Sequence, residues 1–176
     1  MIFTQTQSVD FEQNFLEILG RGKVDMAQVS SIVQNIINEI KDDKNGALFR
    51  HIARFDNWTP SCDDELKIPV DDMQKAYENI DSELKKSLHL AYDRIKKYHE
   101  KQKPQSWFDS EENGVILGQK VTPVDVAGLY IPGGKAAYPS SLLMNVIPAQ
   151  VAGVKKIVVC TPTPDNQPNE LLLAAC

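Results

Sequence analysis

The chain has 176 residues, 42% of them hydrophobic and 24% charged, with a formal net charge of −5. That is an ordinary globular composition, long enough to bury roughly 70% of the unfolded surface. The acidic balance, without a basic patch interleaved with aromatics, argues against a nucleic-acid partner, and no apolar run approaches the roughly 20 residues of a membrane span.

The opening stretch, MIFTQTQSVDFEQ, lacks the positive region and apolar run of a signal peptide. Asp10 can cap a helix over 11–21, with Phe11, Phe15, Leu16, Ile18 and Leu19 as its apolar stripe. Helical spacing of Met26, Val29, Ile32, Val33, Ile36, Ile37 and Ile40 predicts a second helix over 24–41 with a wide apolar face. Asp42-Asp43-Lys44-Asn45-Gly46 breaks it, and a short helix over 47–55 follows, expected to bury Leu48, Ile52, Ala53 and Phe55. After the polar loop NWTPSCDD, residues 66–70 read as a short edge strand, since Pro69 cannot donate to a ladder. Asp71 is expected to cap a helix carrying Met73, Ala76, Tyr77 and Ile80, and Asp81 a longer one. On the longer helix Leu84, Leu88, Ala91, Ile95 and Tyr98 form a coiled-coil-like seam, suited to packing inside the molecule or, alternatively, against a second copy. The helix ends at 102–104.

The composition then changes, which places a module boundary near Pro104: 1–104 helical and charged, 105–176 richer in β-formers and glycine. Trp107-Phe108 and residues 115–121 read as an antiparallel pair around the turn Glu111-Glu112-Asn113-Gly114, Asn-Gly being a strong hairpin signal. Residues 124–131 form an almost wholly apolar run, the pattern of a strand buried on both faces of a parallel sheet. Pro132-Gly133-Gly134 stops it, and Ser140 or Ser141 can cap a helix that Gly153 closes. Residues 157–160 give the second strand, with Cys160 expected as a packed thiol. The result is a βαβ unit, and in open α/β sheets ligands bind outside the carboxyl ends of the strands, here the loop 130–141.

At the end, residues 165–169 hold cap candidates for a helix starting at Glu170. No stop signal follows, so the chain reads as the amino-terminal piece of a larger α/β protein. The sheet with open edges is then expected to be the less stable part, and the helices before Pro104 the better-protected one.

Few residues stand out as chemical groups. His51, His89 and His99 are scattered, and ten residues along one helix separate His89 from His99 by about 15 Å, too far for one metal. Cys62, Cys160 and Cys176 fit neither a zinc spacing nor a disulfide framework, which makes the cytoplasm the default compartment. Gly133-Gly134 is either a tight turn or, leading towards a helix start, part of an anion-binding loop. Ser140 is either a helix cap or a lining residue, and Asn145 needs a partner for its amide.

The stretch GLYIPGGKAAYPSSLLMNVIPAQVAGVKKIVVCTP resembles the signature region of histidinol dehydrogenases. GALFRHIARFDNW, LKIPV and VILGQKVTPVDVAGLY resemble that family's amino-terminal half in the same order. The pattern departs at Ala47, where the family usually carries an acidic residue after the glycine. The resemblance implies a helical region followed by the start of an incomplete nucleotide-binding, Rossmann-like and aldehyde-dehydrogenase-like parallel sheet. It further implies NAD-dependent oxidation of L-histidinol to L-histidine in two steps, in a cytoplasmic enzyme that is a homodimer at full length. Tyr130 matches the family's NAD-contacting tyrosine, with Pro132, Gly133 and Gly134 beside it. Ser140 is expected at the substrate end of the cleft. In that family a zinc ion holds the substrate, a histidine is general base and a glutamate activates water. Those groups are expected beyond Cys176, so no catalytic or metal-binding residue is assigned to this chain, which by itself is expected to be inactive. The rival readings are a non-catalytic interaction or dimerisation module and another NAD(P)-dependent aldehyde-oxidising enzyme.

Overall fold

The computed structural model describes residues 5–20, 26–133 and 138–176. It separates into two compact units, Met1–Arg50 and His51–Cys176. The composition change at Pro104 falls inside the second.

The first unit holds α1 (Phe11–Gly20) and most of α2 (Met26–Phe55). Phe11 and Phe15, one helical turn apart, stack with ring centroids 5.5 Å apart. The expected break before Gly46 is present as a kink within α2, where Lys44 adopts φ 45 and ψ −117. The apolar face of α2 is not covered in this chain: Val29, Ile32, Val33, Ile37 and Ile40 are exposed. Phe55 and Ala53, expected to be buried, are also exposed, while Leu48 and Ile52 are half-buried. Periodicity identifies a face that can be buried; it does not supply the partner that buries it.

The second unit continues with α3 (Val70–Asn79), α4 (Ser82–Gln102), β1 (Trp107–Ser110), β2 (Ile116–Gln119), β3 (Val126–Tyr130), α5 (Pro139–Ala152), β4 (Lys156–Cys160) and α6 (Glu170–Ala174). Residues 66–70 are not a strand. A 3-10 turn spans Asp63–Leu66, and Pro69 (φ −62, ψ 146) is the N-cap of α3, so Asp71 lies in the first turn. A lone five-residue strand has no neighbour to pair with here, whereas the acids after Pro69 suit a helix amino terminus. Asp81 caps α4 as expected, accepting from Glu83 N and Leu84 N, both at 2.9 Å. α4 packs on α5, with Leu84, Leu88, Ala91 and Ile95 of its seam half-buried.

β1 and β2 pair antiparallel around Gly114 (φ 83), the conformation an Asn-Gly turn uses. β3 and β4 pair parallel in register from Val126↔Lys156 to Tyr130↔Cys160, joined through α5. Neither strand is buried on both faces: Ala127, Leu129, Ile157 and Val159 are half-buried, while Val126, Tyr130, Val158 and Cys160 are exposed. The expectation of a packed Cys160 thiol is therefore corrected. An apolar strand is covered twice only where a second layer exists, and these two strands have a layer on one side. Nor does a serine cap α5. Pro139 occupies its first turn with Tyr138 as N-cap, so Ser140 lies inside the helix. The fixed φ of proline suits that first position. Gly153 (φ 93) closes the helix in the left-handed conformation.

The core is built around α6. Leu173 and Ala174 pack with Ala76 of α3, and Leu172 packs with Ile131 and Leu142. Apart from Ala47, every buried hydrophobic residue described lies in the second unit, most of them from Ile131 onward. Among the described residues, the buried core thus lies mainly with Ile131, α5 and α6 and less with the helices before Pro104. A helix of this length needs tertiary support, and α6 has it from two sides. Among the described residues, no helix is long and apolar enough to cross a membrane.

Candidate functional site

β3 and β4 end at the same edge. The ladder runs one bond past them, Ile131 N donating to Cys160 O at 2.9 Å. Ile131 is wholly buried, packed with Leu142 of α5 and Leu172 of α6. It anchors the chain where Pro132 and Gly133 leave the sheet, while Thr161 and Pro162 leave beside them. The two exits nearly touch: a Cβ on Gly133 would lie 2.8 Å from Pro162 Cγ.

Between these exits and the α3–α4 junction lies a cleft of about 640 Å³. Pro132, Gly133, Tyr138, Thr161, Pro162 and Pro164 line its strand side. Ile80 and Leu84 close it from the helical side, and residues 167–172 from the end of the chain. The lining mixes apolar residues with polar ones such as Tyr138, Thr161, Gln167 and Asn169, and carries prolines at the turns, so its shape is held by backbone that cannot rearrange freely. Asn145 satisfies its own amide, Nδ2 donating to Ser141 O at 2.7 Å.

The residues singled out from the sequence are divided by this geometry. Pro132 and Gly133 line the cleft, and Tyr138 joins them. Tyr130 stands at the end of β3 opposite Cys160, with 68% of its surface exposed, and is not among the lining residues. Ser140 is exposed in the first turn of α5, one residue beyond the first helical position. Gly134 lies outside the described residues. Tyr138 makes no side-chain cap bond to α5, and Pro139 brings no N–H, so the first N–H groups of the helix are those of Ser140 and Ser141.

Among the described residues, no three His, Cys, Asp or Glu side chains come together. His89 instead shares a 2.8 Å hydrogen bond between Nε2 and the Tyr77 hydroxyl, tying α4 to α3. His99 contacts Tyr98 edge to face.

Sequence reasoning missed two parts of the site. One is the helical wall, Ile80 and Leu84, which a pattern assigns only to a core. The other is the support of the segment after β4 by Asp56 and Asn57. The runs FDNW and TPTPDNQPN signal turns through their Asn, Asp and Pro content, but nothing local says that they meet.

The comparisons with known proteins agree with this architecture. A family model described as histidinol dehydrogenase matches residues 19–176. A histidinol dehydrogenase of Sulfurimonas denitrificans is 69% identical over 176 residues, which is all of this chain and 41% of that protein. One from Wolinella succinogenes is 62% identical over 167 residues, 95% of this chain and 39% of that protein. The chain thus spans about 40% of the length of these curated relatives. The crystal structure of histidinol dehydrogenase from Elizabethkingia anophelis superposes with a TM-score of 0.74 at 30% identity, covering 84% of this chain and 34% of that one.

Proposed function

The chain belongs to the histidinol dehydrogenase family, and from that premise we propose that it forms the amino-terminal part of the cofactor cleft of an NAD-dependent enzyme that oxidises L-histidinol to L-histidine. The observation that carries the reading is the cleft at the carboxyl ends of two parallel strands, where α/β sheets bind nucleotides. Its chemistry suits a dinucleotide. Pro132 and Gly133 offer backbone that a flat group can approach closely. The uncapped start of α5, near Ser140, offers N–H donors to an anionic group such as a diphosphate. Tyr130 presents an open ring face at the strand end, suited to stacking on an aromatic ring.

In this reading NAD, when bound, supplies the hydride acceptor. The chain's own residues supply binding and orientation. The prolines at the two strand exits limit movement of the cleft walls, and the polar residues among the lining offer hydrogen-bond partners to the bound group. Ser140 would face the substrate end. The zinc ion, its ligands and the groups that move protons are assigned to parts of the enzyme outside these residues, and no step is derived through them. A cytoplasmic homodimer completes the proposal. The exposed apolar face of α2, including Ile32, Val33 and Ile37, supports association.

The test is Tyr130→Ala in the full-length enzyme. Loss of an aromatic contact costs on the order of 1–3 kcal/mol, so the KM for NAD is expected to rise more than that for histidinol. Unchanged NAD kinetics would remove Tyr130 from the cofactor site. The isolated chain, with NAD and zinc added, is expected to make no NADH from histidinol, because it holds no donor cluster among its described residues. Measurable turnover would contradict that division of labour.

A further inference from the structure

The segment after β4, which forms one wall of the cleft, is held from outside the sheet. Asp56 and Asn57 lie just past the end of α2, more than a hundred residues earlier in the chain. Asp56 Oδ2 accepts from Thr163 N at 3.2 Å, and Asp56 O accepts from Asp165 N at 2.7 Å. Asn57 Nδ2 donates to Asp165 Oδ1 at 2.6 Å. Two further bonds close the turn, Asn166 N to Thr163 O and Gln167 N to Pro164 O, each 3.0 Å.

This clasp holds an unusual backbone. Asn57 (φ 59), Asp165 (φ 55) and Asn166 (φ 55) all occupy the left-handed region. Asn and Asp tolerate that region better than other residues with side chains, still at a cost of roughly 1–2 kcal/mol each. Within this turn the chain alternates. Pro162 and Pro164 line the cleft, while the amides of Thr163 and Asp165 turn to Asp56. The carboxylate bond to Thr163 N is charge-assisted, the stronger kind.

We propose that Asp56 and Asn57 are positioning residues for the cofactor cleft: by clasping residues 163–165 they place Pro162 and Pro164, and so set the affinity for the dinucleotide without touching it. The inference rests on the dinucleotide reading of the cleft. Thr163 N and Asp165 N have no other acceptor in this turn, and Pro162 also sits against Gly133, so the clasp sets the spacing between the two strand exits.

The experiment is steady-state kinetics on the full-length enzyme. Asp56→Ala is expected to raise the KM for NAD about tenfold, as the loss of one charge-assisted bond implies, with kcat and the KM for histidinol within about twofold. Asp56→Asn keeps an amide oxygen that can accept from Thr163 N, and should restore most of the loss. Asn57→Gly keeps the left-handed backbone, loses only the bond to Asp165, and should raise the KM for NAD by a smaller factor. Should Asp56→Ala fail to fold, Asn57→Gly decides. A raised NAD constant supports the clasp, and an unchanged one overturns it. Equal rises in both Michaelis constants with a lowered kcat would show a merely structural role and overturn the proposal. Tyr130→Ala separates the two ideas. If it raises the KM for NAD while Asp56→Ala and Asn57→Gly do not, the clasp fails and the dinucleotide reading stands. If all three leave NAD kinetics unchanged, both fail.

Discussion

Gly133 sits against Pro162 on the side where any other residue would carry its side chain. The Cβ that alanine would add lies 2.8 Å from Pro162 Cγ, 3.2 Å from its Cδ and 3.2 Å from its carbonyl oxygen. A proline ring and a backbone oxygen cannot swing aside as the tip of a flexible chain would. Gly133→Ala must therefore separate the exits of β3 and β4. Overpacking of this kind costs about 1–3 kcal/mol. Chemical denaturation should show that loss, and on the proposed cofactor reading the full-length enzyme's affinity for NAD should fall with it. A variant with unchanged midpoint and unchanged NAD affinity would show that the two loops move apart freely.

Leu172→Ala should be among the most damaging single changes in the chain. Leu172 is 5% exposed and packs with Ile131 and Leu142, while its neighbours Leu173 and Ala174 pack on α3. A buried leucine cut to alanine costs about 2–5 kcal/mol. Hydrogen exchange should locate the damage at Ile131, the first half of α5 and α6 together, because one short helix joins both clusters. Damage confined to α6 would mean that the clusters are independent.

Asp81→Ala tests a local signal. One carboxylate oxygen accepts from two backbone amides at the start of α4. Loss of such a cap costs about 0.5–2 kcal/mol. Asp81→Asn or Asp81→Ser should recover most of it, since either can accept the same bonds. If all three variants match the parent in thermal unfolding, α4 is held by its contacts with α3 and α5 and not by its cap.

The Asp64–Lys67 pair gives a pH test. Lys67 Nζ lies 2.8 Å from Asp64 Oδ1. The hydrogen bond and the charge of Lys67 hold the Asp64 carboxyl below its ordinary value of 3.8, and the same pair holds the Lys67 ammonium above 10.5. A depressed carboxylate stabilises the fold above its unfolded value and loses that contribution as pH falls through the folded one. The raised lysine contributes below 10.5 and loses it as pH rises further. Both side chains are largely exposed, so the effect is small and fades with salt. In an NMR titration, Lys67→Met should return the Asp64 midpoint to the ordinary range. A midpoint that does not move would exclude the pair in solution.

Much of this fold was legible in short stretches. Asp81 before a long amphipathic run, Asn113-Gly114 between two apolar segments and Gly153 after a helical pattern each act through bonds to residues within a few positions. All three perform as the local chemistry requires. The order of strand, helix and strand from Val126 to Cys160 follows from the same kind of signal, as does the long family signature that runs through it.

What the local pattern could not reach depends on partners distant in the chain. Residues 66–70 have β-forming content but no strand to pair with, so Ile68 packs against the α3–α6 cluster instead. Val126 and Cys160 look like core residues and are exposed, because hydrophobicity states a preference for burial and only a neighbouring layer provides it. The cleft wall is the clearest case. Asp56 and Thr163 are 107 positions apart, and each alone reads as a polar loop residue. Their hydrogen bond exists only because α2 and β4 end at the same place. Bonds between neighbours in sequence form wherever the local backbone allows them, whereas bonds across a hundred residues require the whole fold to bring their ends together, and that is why the elements could be read from the chain and the shape of the site could not.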